Sequence, residues 1–260
     1  MTPGTASALA VDLAAALDPV VFARTSLAFD PEPWQEGLLR TTSRRVLVRC
    51  ARQVGKTTTT SVKALHRSLY RPGALVLVIS PSQRQSDEVM LRVKSQYRAL
   101  GRSVKLTKDS GSELVMENGS RLVSLPGTEG TSRGFAGVDL LIIDEAARVE
   151  DDVFASVLPM VSSTGQILAL STPWGQRGWW WALHDETANG WERHSVTCYE
   201  SRQYTPERIA EARAAVGSFV FASDYECQFG DSDSQVFGTA MVRAAYTDLV
   251  APLIHPRSTT

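Results

Sequence analysis

Arg45-Val46-Leu47-Val48-Arg49-Cys50-Ala51-Arg52-Gln53-Val54-Gly55-Lys56-Thr57-Thr58 is the stretch that decides the fold. A short apolar strand runs into a polar loop that ends in Gly-Lys-Thr and opens a helix. In such a loop, main-chain N–H groups and the helix N-terminus point at anionic phosphates. Lys56 adds a point charge for the β- and γ-phosphates of a nucleoside triphosphate, and the Thr57 hydroxyl is placed to bind Mg²⁺. Gln53, Val54, Gly55 and Thr58 supply the cradle around them. The usual pattern opens with a further glycine, and that position is Cys50 here, so the stretch alone is an incomplete P-loop.

A second element supports it. Val138-Asp139-Leu140-Leu141-Ile142-Ile143-Asp144-Glu145 is an apolar run ending in two carboxylates. A run apolar on both faces suits a buried parallel strand, so both acids emerge at its carboxyl end, where open α/β sheets bind ligands. Asp144 is a candidate Mg²⁺ ligand, and Glu145 a candidate base for the attacking water. An acidic helix N-terminus is the plainer alternative. A third apolar strand, Gln166-Ile167-Leu168-Ala169-Leu170-Ser171-Thr172-Pro173, ends in two hydroxyls that could sense a γ-phosphate. Upstream, Pro33-Trp34-Gln35 offers an amide able to donate to and accept from an adenine edge.

The rest of the chain alternates strands with helices, which argues for a mostly parallel sheet with right-handed crossovers. A helical segment over 7–24 precedes the strand 45–50 and the helix 56–70. A strand over 75–79 and a basic helix over 84–102 follow. Asn118-Gly119 between 113–117 and 120–125 is a hairpin signal. A helix over 153–160, the Ser171 strand and a last strand over 193–197 complete the series. Trp179-Trp180-Trp181 reads best as core packing, with an aromatic surface for DNA as the other reading.

Composition is that of a globular protein: of 260 residues, 43% are hydrophobic and 21% charged. Cys50, Cys198 and Cys227 are odd in number and far apart, which suits free thiols in a reducing compartment and no zinc site. No apolar run is long enough to span a membrane, and the stretch from Ala8 to Leu17 lacks the basic start of a signal peptide. The net charge of −1 hides an asymmetry: residues 40–108 hold 16 Lys/Arg against 2 acids. On the basic helix, Lys94, Arg98 and Arg102 recur at one-turn intervals, a line of cations able to track a phosphate backbone.

These residues together resemble the large terminase subunits of tailed bacteriophages, the ATPases that package DNA into procapsids. The resemblance rests on Trp34-Gln35, on Ala51-Arg52-Gln53-Val54-Gly55-Lys56-Thr57 with arginine and glutamine ahead of Gly-Lys-Thr, and on Ser80-Pro81-Ser82. It continues through Asn118-Gly119-Ser120, Ser132-Arg133-Gly134-Phe135, the Asp144-Glu145 strand and Ser171-Thr172-Pro173, over roughly residues 30–237. It implies an α/β fold of the additional-strand (ASCE) P-loop NTPase type and Mg²⁺-dependent ATP hydrolysis that drives double-stranded DNA. Gln35 would be the adenine contact, Arg52 a loop arginine near the phosphates, and Arg133 an arginine finger offered to a neighbouring subunit. Ser171-Thr172-Pro173 would couple hydrolysis to movement. The implied partners are further copies in a ring on a portal protein, a small terminase subunit and a nuclease domain, in the host cytoplasm.

The expected organisation is an N-terminal helical segment (1–30), a motor domain (31–223), and a linker and tail (224–260) where the family's nuclease domain would begin. Asp231 and Asp233 there read as linker acids, so no DNA cleavage is expected of these residues.

Overall fold

The computed structural model describes residues 3–101, 104–127, 134–184, 190–230, 241 and 244–245. Arg102, Arg133, Asp231 and Asp233 lie outside the described residues.

The chain opens with α1 (Pro3–Leu17) and α2 (Pro19–Ser26), where one helix over 7–24 was expected. The break is at Asp18, whose extended backbone and side-chain bond to the Val20 N–H cap α2 just before Pro19. Next come α3 (Pro33–Arg40), β1 (Arg45–Cys50), α4 (Lys56–Tyr70), β2 (Leu75–Ser80) and α5 (Gln83–Ala99). A meander of β3 (Leu106–Asp109), β4 (Glu113–Met116) and β5 (Arg121–Pro126) follows. Then come β6 (Val138–Asp144), α6 (Asp151–Val157), β7 (Val161–Ser171), α7 (Gly178–His184) and β8 (Glu192–Val196). The described part closes with α8 (Pro206–Ala215) and α9 (Ser218–Asp224).

The eight strands form one sheet in the order β3-β4-β5-β2-β6-β7-β1-β8. β5, β2, β6, β7, β1 and β8 run parallel, and only the β3–β4–β5 edge is antiparallel. β7 lies between the P-loop strand and the acidic strand, which is the strand insertion that defines the additional-strand class. Arg49 pairs with Ser171 and Asp144 with Leu170, so the three strands finish at one height on one edge.

Strand alternation divides the core between two faces. Val46, Val48, Leu140 and Ile142 pack with α5 residues Val89, Met90 and Val93. Leu47, Leu141 and Ile143 pack with Val153 and Phe154 of α6 and Trp179 and Trp180 of α7. Trp179 stacks on Phe154 with ring centroids 3.8 Å apart and donates its indole N–H to Val149 O at 2.8 Å. Trp179 and Trp180 thus pack in the core, while Trp181 is half-buried against Phe229. A third cluster seats Phe22, Val20 and Ala15 of the N-terminal helices on Val62, Leu65 and Leu69 of α4.

Candidate functional site: a phosphate cradle at the sheet edge

The P-loop manages without its usual first glycine because Cys50 is still strand. It pairs with Val196, is fully buried, and leaves the turning to later residues. Backbone φ becomes positive at Gln53 (56°) and Gly55 (92°). At Gly55 a side chain would be strained twice over, by that φ and by Gln35 Nε2, which lies 2.9 Å from where a Cβ would stand. The N–H groups of residues 53–58 have no hydrogen-bond partner among the described residues. They crown α4 as an anion site.

The loop is held from outside by the C-terminal helices. The Arg52 N–H donates to Asp224 O (3.0 Å), and its guanidinium pairs with the Asp224 carboxylate (2.7 Å). The Tyr204 hydroxyl donates to Arg52 O at 2.7 Å, and the Arg208 guanidinium donates to Gln53 Oε1. Two loop residues that read as phosphate contacts therefore rest on α8 and α9.

A cavity of about 820 Å³ opens above the loop, lined by Arg52, Gln53, Gly55, Lys56, Thr57, Thr58, Glu145 and Thr172. Lys56 Nζ lies 3.4 Å from Glu145 Oε1. Burial opposes the ammonium charge, while Cys50, then the Glu145 and Asp144 carboxylates, favour it, and the net direction of the lysine pKa is upward. Burial pushes the Cys50 thiol up to about 12, so it is neutral at pH 7. Asp144 accepts a hydrogen bond from the Glu145 N–H (3.1 Å). Burial first, then the Glu145 charge, push its carboxyl up to about 6.

The donors suit a hard cation. Along the start of α4, the Thr59, Thr60 and Ser61 hydroxyls donate back to helix carbonyls, whereas those of Thr57 and Thr58 make no such bond and face the cavity. One free hydroxyl and one buried carboxylate match the sparse, oxygen-only protein ligation of Mg²⁺ beside phosphates. Among the described residues there is no cluster of three or more His, Cys, Asp or Glu able to hold a metal by itself.

Four expected residues stand behind the cavity wall; Asp144 is one, buried beside Glu145. Val54 is buried at 1% exposure. Ser171, also buried, donates to Glu145 Oε2 at 3.5 Å and so touches the acid rather than the cavity. Gln35 spends its amide internally: Oε1 accepts from the Glu32 N–H (2.7 Å) and Nε2 donates to Val54 O (3.5 Å). It braces the loop from below in this structure. Conversely, Gln85, Arg92 and Arg148 line the cavity without having been singled out in the sequence, beside Pro81 of the Ser80-Pro81-Ser82 motif. The line of cations on α5 is also corrected. Lys94 is tied to Asp109 (2.6 Å) and Ser110 O (2.6 Å) in the β3–β4 hairpin, α5 ends at Ala99, and Arg98 is the exposed member.

The chain is 25% identical over 248 residues to the large terminase subunit of Thermus virus P23-45, and 25% identical over 179 residues to that of Escherichia phage T5. These alignments cover 81% and 66% of this chain but 51% and 41% of those proteins, so it spans about half the length of the curated relatives it matches. The structure of the Thermus phage P74-26 large terminase ATPase domain superposes with a TM-score of 0.72 at 21% identity, covering 82% of this chain and 99% of that one. That likeness establishes the fold. The model of the terminase large subunit, T4likevirus-type, N-terminal, matches residues 48–243, and the chain belongs to this family.

Proposed function

We propose that this chain is the ATP-hydrolysing motor part of a phage DNA-packaging machine. One observation carries the reading: Lys56, Thr57, Glu145 and Thr172, from three adjacent strand ends, line one cavity floored by unpartnered N–H groups, with Asp144 buried beside Glu145. Triphosphate oxygens would sit on those N–H groups and on Lys56. Thr57 and Asp144 would hold Mg²⁺, which supplies charge neutralisation across the β- and γ-phosphates. A water oxygen attacks the γ-phosphorus while the bond from it to the β-phosphate oxygen breaks. That electron pair leaves on ADP, and Glu145 takes the proton the water loses. Ser171 aims the Glu145 carboxylate from behind. Arg52, now on Asp224, and Arg133 of a neighbouring copy are the charges proposed for the departing phosphoryl group, and Gln35 keeps the adenine role if its amide is released.

In this proposal the work is done on double-stranded DNA, by copies ringed on a portal protein and assisted by a small terminase subunit. Nuclease chemistry, which needs clustered carboxylates holding two metals about 4 Å apart, is assigned to a separate domain. Phosphate release by the purified chain, with Mg²⁺ and with excess chelator, tests the reading. Turnover that requires the metal and rises with DNA and portal is expected; turnover indifferent to chelation would overturn the metal assignment.

A further inference from the structure

The cation that the nucleotide cavity shares with its neighbour belongs to no motif. Arg148 ends the single 3₁₀ turn Ala146–Arg148 that follows the acidic strand. Glu145 is left-handed there (φ 50°), and the Arg148 N–H donates back to Glu145 O at 2.9 Å, so the turn throws both side chains toward the cavity. A second cavity, of about 510 Å³, lies beside the first, lined by Trp174, Arg177, Asp151 and Trp179 among others. Arg148 is the residue common to both.

Among the described residues Arg148 is exposed and makes no ion pair. Its guanidinium lies over the Trp174 indole, 4.1 Å from the ring centroid. Trp174 directly follows Ser171-Thr172-Pro173 and is 41% exposed, unlike the buried Trp179 and Trp180. An exposed stack on an indole is a weak hold, and a guanidinium can trade it for charge-assisted bonds to a phosphate.

We propose that Arg148 is a further catalytic arginine of this site, supplied by the same subunit, which leaves the Trp174 ring to bind the γ-phosphate. The proposal rests on the nucleotide reading above and deepens it. In the ground state Arg148 reports whether a third phosphate is present. As the bond to the β-phosphate oxygen breaks, it neutralises charge on the departing phosphoryl oxygens while Glu145 takes the water proton. Its departure also frees Trp174, whose neighbour Pro173 accepts a hydrogen bond from Ser223 (3.0 Å) on α9, the helix whose Asp224 holds Arg52. The switch from stack to phosphate thereby reaches the helices that grip the P-loop.

Trp174 fluorescence tests this directly, isolated as the difference between the wild-type chain and Trp174→Phe. Adding the β,γ-imido analogue of ATP with Mg²⁺ should change Trp174 emission and its quenching by acrylamide, and ADP should leave both unchanged. Arg148→Ala should abolish the analogue response, lower kcat by about 10²–10³-fold, and raise KM for ATP, since the same guanidinium holds the γ-phosphate in the ground state. Arg148→Lys keeps the charge but not the planar stack, so it should recover part of kcat without the fluorescence change. If Arg148→Ala does not fold, the wild-type signal and Arg148→Lys still decide. Nucleotide bound with the analogue and ADP signals identical, or Arg148→Ala turning over at the wild-type rate, would overturn the proposal alone. No nucleotide binding by the wild-type chain would overturn the nucleotide reading with it.

Discussion

Lys56 and Lys63 stand two turns apart on one face of α4, both buried, at 8% and 5% exposure. Their surroundings differ in kind. Lys56 opens the helix, 3.4 Å from the Glu145 carboxylate with Asp144 behind it. Lys63 Nζ donates to three main-chain oxygens, those of Leu38 (2.9 Å), Leu39 (3.0 Å) and Thr41 (3.3 Å), where α3 ends. Burial works against both ammonium groups. Cys50 and the Glu145 and Asp144 carboxylates together more than offset it at Lys56, whose pKa is raised. At Lys63 burial, with repulsion from Arg67, pushes the pKa down to about 7. A buried lysine facing carboxylates and a cavity is held in its charged form for use. One facing only carbonyls closes a helix end and ties α3 to α4.

Exchanging the fates of these two lysines gives the largest expected effect. Lys56→Ala should abolish measurable phosphate release and melt no higher than wild type, because it also takes away the cation that faces the Glu145 and Asp144 carboxylates. Lys63→Met should keep turnover per folded molecule within about threefold, because its side chain never reaches the cavity. Phosphate release and thermal melting on both variants decide this, and equal loss of turnover would erase the distinction.

The second test is pH. The folded pKa of Lys63, about 7, lies below its unfolded value of 10.5, so its contribution to stability is complete above pH 10.5 and is lost as pH falls through 7. Wild type should therefore gain on Lys63→Met by up to about 1.4 kcal/mol per pH unit between pH 7 and 9. Urea melts across that range measure it, and a flat difference would mean that Lys63 stays charged in the fold.

The smallest effect extends the comparison to α5, where Lys94 is paired and Arg98 is exposed. If this helix touches DNA, Arg98→Gln should reduce the log–log salt slope of binding by about 0.9, and Lys94→Gln by much less. Equal slopes for the two variants and wild type would move the DNA contact off this helix.

What was legible in the sequence was what the chain writes contiguously. The P-loop, the Asp144-Glu145 strand and the Ser171 strand each carry their own apolar run and terminal chemistry. Strand alternation then forces those ends to one sheet edge. The cavity's other wall was legible only at Pro81, in the Ser80-Pro81-Ser82 motif, because Gln85 and Arg92 come from α5 and show no local pattern. Arg148 follows Glu145 by one tight turn, and that turn depends on a left-handed Glu145 that no residue type announces. Lys94 misled because helical spacing reveals a face but not the β3–β4 hairpin laid against it, and β3 itself, with mostly exposed residues, has no buried alternation to betray it. The partners of Gln35 were hidden for the same reason: its amide bonds Glu32 and Val54, set by the packing of α3 under the loop.

The central claim is that Glu145 receives the proton of the attacking water while Lys56 binds the phosphates. Glu145→Gln separates the two, since the amide keeps the shape and cannot accept that proton. The measurement is ATP binding and single-turnover phosphate release on the same Glu145→Gln preparation with Mg²⁺. Near-normal binding with hydrolysis slowed by at least about 10²-fold is predicted. Hydrolysis at the wild-type rate, with ATP bound, would contradict the account.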